Sequence, residues 1–180
     1  MARLLIVGGG CRGLRLADEA GREGHAVRIV TRTEDRRPEI EAAGAECWIG
    51  DPNRLGTLRG ALDGVTIACW LLGGATGPEE QLRALHSARL CAFLESAIDT
   101  TVRGVLYEAA AVPTAFAGTS VPATSAGPSV PTGTLAEGEW IAQEVAHRNS
   151  IPLVILYANP ADVPRWLEQA RGALSSMLAT

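Results

Sequence analysis

Ile6-Val7-Gly8-Gly9-Gly10-Cys11-Arg12-Gly13 decides the fold, because an apolar run breaks there into glycines that fit G-x-G-x-x-G at Gly8, Gly10 and Gly13. The spacing alone says little. It gains meaning from its context, directly after a first strand read at Arg3 to Val7 and at the opening of a helix read from Gly13 to Gly24. Gly8 then serves the tight turn, Gly10 lets a pyrophosphate approach the backbone, and Gly13 lets the helix pack closely on the strand. Free amides at the helix start face the phosphates, and Cys11 and Arg12 complete the candidate loop.

Outward from this loop, short apolar runs alternate with helical patterns, as in βαβ units that feed a parallel sheet. Leu14, Ala17 and Ala20 give the first helix its buried stripe, and Gly24 falls where a left-handed cap ends it. Ala26 to Thr31 reads as strand two, Pro38 to Ala43 as a short helix and Glu46 to Ile49 as strand three. A helix over Asn53 to Leu62 leads to strand four at Val65 to Leu72. Pro78 to Ser96 reads as one helix of about five turns carrying Leu82, Leu85, Leu90, Phe93 and Leu94. Strand five is Gly104 to Tyr107. The uncharged stretch from Ala109 to Ala136, with Pro113, Pro122, Pro128 and Pro131, reads as a long loop, its core at 111–135. A helix over Glu137 to Arg148, strand six at Leu153 to Tyr157 and a closing helix over Val163 to Leu178 complete the pattern. The expected architecture is α/β: one doubly wound, mainly parallel, Rossmann-like sheet of about six strands with helices on both faces.

The chain has 180 residues, 47% of them hydrophobic and 20% charged, which fits one domain. Its net charge of −4 gives no electrostatic footprint for nucleic acid or an anionic membrane. All sixteen basic residues are Arg, so mechanisms that need a lysine amine are excluded. Cys11, Cys47, Cys69 and Cys91 form no CxxC pair and suit free thiols in a reducing compartment. His25, His86 and His147 lie far apart without metal-ligand spacing and read as surface or packing residues. Leu4 to Val7 is too short for a signal sequence, so a cytoplasmic protein is expected, with neither secretion nor membrane insertion.

The end of strand two tests the cofactor. An Asp or Glu there accepts from a free ribose hydroxyl, whereas the residues present are Thr31-Arg32-Thr33. A guanidinium pairs with a 2′-phosphate, so Arg32 favours NADP(H) over NAD(H), with Arg12 able to add to the same pocket. Arg36 and Arg37 read first as solvated arginines. Glu34 or Asp35 leaves an NAD route open.

Ile6 to Gly13, Thr31-Arg32, Gly50-Asp51, Leu62-Asp63-Gly64-Val65 and Leu71-Leu72-Gly73-Gly74 resemble the atypical short-chain dehydrogenase/reductase group, within it the NmrA-like and biliverdin/flavin reductase type B branch. The resemblance covers residues 3 to 110 well and the rest in outline. It implies an NAD(P)-binding protein in which Asp51 and Pro52 lie by the adenine, and Leu72 and Gly73 by the adenosine ribose. Such dehydrogenases usually add a Ser after strand five and a Tyr-x-x-x-Lys, in which the Lys lowers the Tyr pKa. Here Lys is absent, Glu108-Ala109-Ala110 stands where Ser is expected, and Tyr107 and Tyr157 read as packing residues. Glu108, Glu137 and Glu139 read as solvated or helix-start acids, with proton handling as their other use.

Two functions follow. One is an NADP(H)-dependent oxidoreductase that aligns hydride donor and a small-molecule acceptor with little help from side chains. The other is an NADP(H)-binding sensor or regulatory module without turnover. A sugar-nucleotide epimerase is disfavoured by length, since only about twenty residues follow strand six. Trp166, Leu167 and Met177 on the last helix form either core or a partner face, with a homodimer as the partner.

Overall fold

The computed structural model describes residues 1–109 and 130–179. Six strands, β1 (Arg3–Gly8), β2 (Ala26–Thr31), β3 (Glu46–Ile49), β4 (Ile67–Leu71), β5 (Gly104–Glu108) and β6 (Leu153–Leu156), form one sheet in the order β3-β2-β1-β4-β5-β6. Every pairing is parallel. Parallel strands covered on both faces read as continuous apolar runs, and β1 and β4 are buried along almost their whole length.

Side chains alternate between two apolar layers. Leu4, Ile6, Ile67, Cys69 and Leu71 pack with α1 (Gly10–Arg22), α2 (Arg37–Ala42) and α6 (Val163–Leu178). Leu5, Val7, Ala68, Trp70 and Tyr107 pack on the other face with α3 (Glu79–Leu85), α4 (Ala88–Ile98) and α5 (Thr132–Arg148). The strand order reverses between β1 and β4. At this switch point the connections leave in opposite directions and open a crevice at the carboxyl ends of the strands.

The sequence expectations hold for all six strands and differ at four places. Residues 53–62 form two 3₁₀ turns, Leu55–Leu58 and Gly60–Leu62, rather than one helix. Gly56 and Gly60 weaken a helix there, and the buried Arg28 guanidinium donates to the carbonyls of Ala61 (2.6 Å) and Asp63 (3.2 Å), holding the turns against β2. The helix read over Pro78 to Ser96 is two helices broken at His86 and Ser87. His86 turns inward, where Nε2 donates to the Leu72 carbonyl (3.2 Å) and Nδ1 accepts from the Tyr107 hydroxyl (2.8 Å). Helix α5 begins at Thr132, within the stretch expected to be loop, because Thr134 and Leu135 are buried and Leu135 joins the core. The part of that expected loop at 110–129 lies outside the described residues. Finally, Tyr157 is 60% exposed rather than packed, and its hydroxyl donates to Glu139. Trp166, Leu167 and Met177 are buried against the sheet, which makes the last helix's stripe core and not a partner face.

Candidate functional site

The glycine loop owes its shape to crowding between β1 and β4. Gly8 has φ +90°, and a Cβ there would lie 2.5 Å from the Leu71 carbonyl oxygen. The Gly9 amide donates to that same carbonyl (2.7 Å), clamping the loop to β4. A Cβ on Gly13 would come within 2.9 Å of the Gly8 oxygen, so α1 starts in close contact with β1. Gly10 differs, since its φ is +51° and a Cβ would meet nothing within 4 Å. Open space thus lies above the loop where the backbone is most approachable. No side chain caps α1. The amides of Gly10 and Cys11 precede the first helical bonds, which run from Arg12 and Gly13 to the Gly9 carbonyl.

Above this loop is a cavity of about 590 Å³ at the carboxyl ends of β1, β2 and β4. Gly8, Gly10, Cys11 and Arg12 form its floor. Thr31, Arg32, Thr33 and Arg36 form the end beyond β2, and Pro52 and Asn53 the side beyond β3. Leu72 and the Gly74–Gly77 segment close it beyond β4. Three arginines and no carboxylate line it among the described residues. Arg12 is paired with Glu108 and Arg36 with Glu39, so Arg32 carries the one positive charge of the three that no carboxylate neutralises among the described residues, and it draws an anion to its end of the cavity.

Each arginine stands differently. Arg32 is exposed and has no hydrogen-bond or ion-pair partner among the described residues. Arg36 forks onto Glu39 with two hydrogen bonds of 3.0 and 3.1 Å. Arg37 does not line the cavity and is held by Glu34 and Glu41. Glu34 is committed in turn, and its hydrogen bond from Arg37 holds its carboxyl below the ordinary value. Neither Glu34 nor Asp35 lines the cavity.

Arg12 does not join Arg32 in one pocket. It reaches across the end of β4, where Nη2 donates to Glu108 Oε1 (3.1 Å) and Nη1 to the Pro160 carbonyl (3.4 Å). Its guanidinium lies 5.1 Å from the Trp166 ring centroid. Glu108 is fully buried and not a solvated acid. It accepts from Arg12, from Trp166 Nε1 (2.7 Å) and from the Gly73 amide (2.9 Å). Burial pushes its carboxyl above the ordinary value against the pull of the Arg12 charge and these donors. Local periodicity does not show this contact, which joins residues 96 apart; its one sequence signal is an acid closing an apolar strand at the edge where the glycine loop carries a cation.

Three expected residues lie off the cavity wall. Gly13 is buried beneath the loop, and the Gly73 amide is spent on Glu108. Asp51 turns back on its own segment, with Oδ1 accepting from the Asn53 amide (2.9 Å), so Pro52 and Asn53 form the wall there. On the opposite face of β5, burial holds His86 neutral by lowering its pKa to about 4, and raises that of the Tyr107 hydroxyl.

Comparison with known proteins adds the architecture. The chain aligns over 87% of its length with vestitone reductase from alfalfa (Medicago sativa), at 18% identity and a TM-score of 0.60, covering 56% of that chain. A UDP-galactose 4-epimerase aligns over 86% of this chain and 55% of its own, at 23% identity and a TM-score of 0.60. Triphenylmethane reductase from Citrobacter sp., solved with NADP(H), gives 17% identity, a TM-score of 0.56, and coverage of 87% and 49%. The chain has a Rossmann-like fold. It spans about half the length of these structures. No protein-family model matches the sequence, and no curated protein does. Ligands of Rossmann-like sheets sit outside the carboxyl ends of the strands at the switch point, which is where the arginine-lined cavity opens. No group of three or more His, Cys, Asp or Glu among the described residues has the arrangement to hold a metal ion. No described helix is long and apolar enough to cross a membrane.

Proposed function

We propose that this Rossmann-like domain binds NADP(H) and serves an oxidoreductase. The reading is carried by one observation: a cavity over the glycine loop, at the switch point, lined by three arginines and no carboxylate among the described residues. The fit is steric as well as electrostatic. Gly10 leaves its approach open, and the amides of Gly10 and Cys11 at the uncapped start of α1 suit a pyrophosphate. Arg32, unpartnered beyond β2, suits a 2′-phosphate, and the commitment of Glu34 to Arg37 removes the carboxylate that a free ribose hydroxyl would want. Thr31 and Thr33 flank Arg32, while Pro52, Asn53 and Leu72 give the nucleoside end an apolar wall with one amide.

When bound, the cofactor supplies a hydride to a small-molecule acceptor. The chain's own part is to hold the donor, exclude water with Leu72, Leu82 and Leu85, and keep the acceptor face free of competing acids. A Ser-Tyr-Lys relay is not available, since the chain has no Lys and Tyr107 is buried beneath His86. The likeness to NmrA-like and biliverdin/flavin reductase type B proteins supports an acceptor that needs alignment more than acid catalysis. A second reading, an NADP(H)-binding regulatory module without turnover, is favoured by the buried network at Glu108, which ties that carboxylate to Arg12, Trp166 and the Gly73 amide and keeps it off the cavity wall.

Calorimetric titration with NADPH and NADH, followed by an absorbance screen for NADPH oxidation with flavins, quinones and linear tetrapyrroles, tests both. NADPH binding with turnover establishes the oxidoreductase, and binding without turnover establishes the module. Binding of neither nucleotide removes the proposal.

A further inference from the structure

Three hydrogen-bond donors converge on the Glu108 carboxylate from three separate elements, and nothing of the network faces the cavity except Arg12. Gly73 brings its amide from the end of β4, Trp166 its indole N–H from α6, and Arg12 its guanidinium from α1. A group that meets three donors and no donor-acceptor partner has to be acceptor-only, which an ionised carboxylate is and an amide or a hydroxyl is not. Glutamine in its place has one oxygen for three donors, so one N–H is left facing another.

Arg12 is the movable member of this set. Trp166 is fully buried and the Gly73 amide belongs to the backbone, whereas the Arg12 side chain is 17% exposed at the cavity wall. The room it occupies exists because residue 74 is glycine, where a Cβ would stand 3.1 Å from Nη2. Nη1 is tethered to the Pro160 carbonyl, and the Trp166 ring supports the guanidinium from one side. A long cationic side chain otherwise samples many rotamers, and binding an anion through it costs that freedom. Here the freedom is already lost before any ligand arrives.

We propose that Glu108 is a positioning residue, which through Arg12 fixes a guanidinium against the inner end of the cavity for a phosphate group of the bound nucleotide. The inference rests on the nucleotide reading above and extends it to a residue that does not itself line the cavity. Arg32 and Arg12 then divide the anion between them, with Arg32 at the outer end beyond β2 and Arg12 across the end of β4. Glu108 contributes to affinity solely through Arg12.

A double-mutant cycle on NADPH affinity tests this, with thermal unfolding recorded for every variant. Arg12→Ala and Glu108→Gln each weaken NADPH binding on the order of tenfold, and the double variant binds no more weakly than Arg12→Ala alone. Glu108→Asp, which keeps the charge one methylene short, recovers part of the loss, as a merely structural role would not predict at equal thermal stability. If Glu108→Gln does not fold, Glu108→Asp takes its place in the cycle. Additive losses, or a Glu108 variant that binds as well as or better than the parent, overturn the positioning role and leave the nucleotide site standing. Failure of the parent protein to bind NADPH overturns the nucleotide reading, and the positioning role with it.

Discussion

Arg32 and His86 show how differently single residues of this chain use their charge. Arg32 has no partner of its own among the described residues, so its guanidinium has little to lose and a 2′-phosphate to gain. Arg32→Ala should weaken NADPH binding by a charge-assisted contact of about 1.5–3 kcal/mol and leave NADH binding nearly unchanged, as parallel titrations would report. Equal losses for both nucleotides would contradict the assignment. His86 is kept neutral instead, its pKa lowered to about 4 by burial. Between about pH 6.5 and 4 the unfolded chain takes up a proton that the folded chain refuses, so stability is full above the upper limit and falls toward the lower one. The loss amounts to about 3 kcal/mol over that window, and denaturant melts across it should lose that component in His86→Gln.

Among the elements, α5 and α6 carry glycines with opposite roles. Gly138 in α5 faces the Tyr107 hydroxyl, and a Cβ would also lie 2.8 Å from the His86 carbonyl. Gly138→Ala should therefore destabilise the fold by roughly 2 kcal/mol or more through overpacking. Gly172 in α6 is exposed with open space around it, so Gly172→Ala should stabilise by about 0.5–1 kcal/mol by lowering the entropy of the unfolded chain. Thermal melts of the two variants should move in opposite directions. The central strands β1, β4 and β5 were legible because burial on both faces makes them near-continuous apolar runs, whereas β3, which has no buried residue, was legible by its place in the alternation of strands and helices. The helices were less so. A local pattern cannot show that Arg28 will reach from β2 to claim the carbonyls of Gly60, Ala61 and Asp63, nor that His86 will turn inward and split α3 from α4. The start of α5 was hidden by its own composition, since Thr132, Gly133 and Thr134 read as loop until Leu135 is seen in the core.

For the whole molecule, occupation of the cavity is itself a stability measurement. At a concentration one hundred times its dissociation constant, NADPH should add about 2.7 kcal/mol and raise the melting temperature by roughly 5–10 °C. NADH at the same concentration should raise it less. The outer end of the site was readable in sequence, because Gly8 to Gly13 and Thr31-Arg32 are each contiguous. Its inner end was not, since Arg12, Gly73, Glu108 and Trp166 come from four parts of the chain and meet only after folding. That meeting has an optical consequence. The indole of Trp166 donates to the same carboxylate that holds Arg12, with the guanidinium over its ring, while Trp70 packs at a tilt against Phe93 in the other layer. The difference in emission between the parent and Trp166→Phe, in which Trp48, Trp70 and Trp140 cancel, is therefore a native fluorophore's report on the inner end of the cavity, which can be followed without attaching a label.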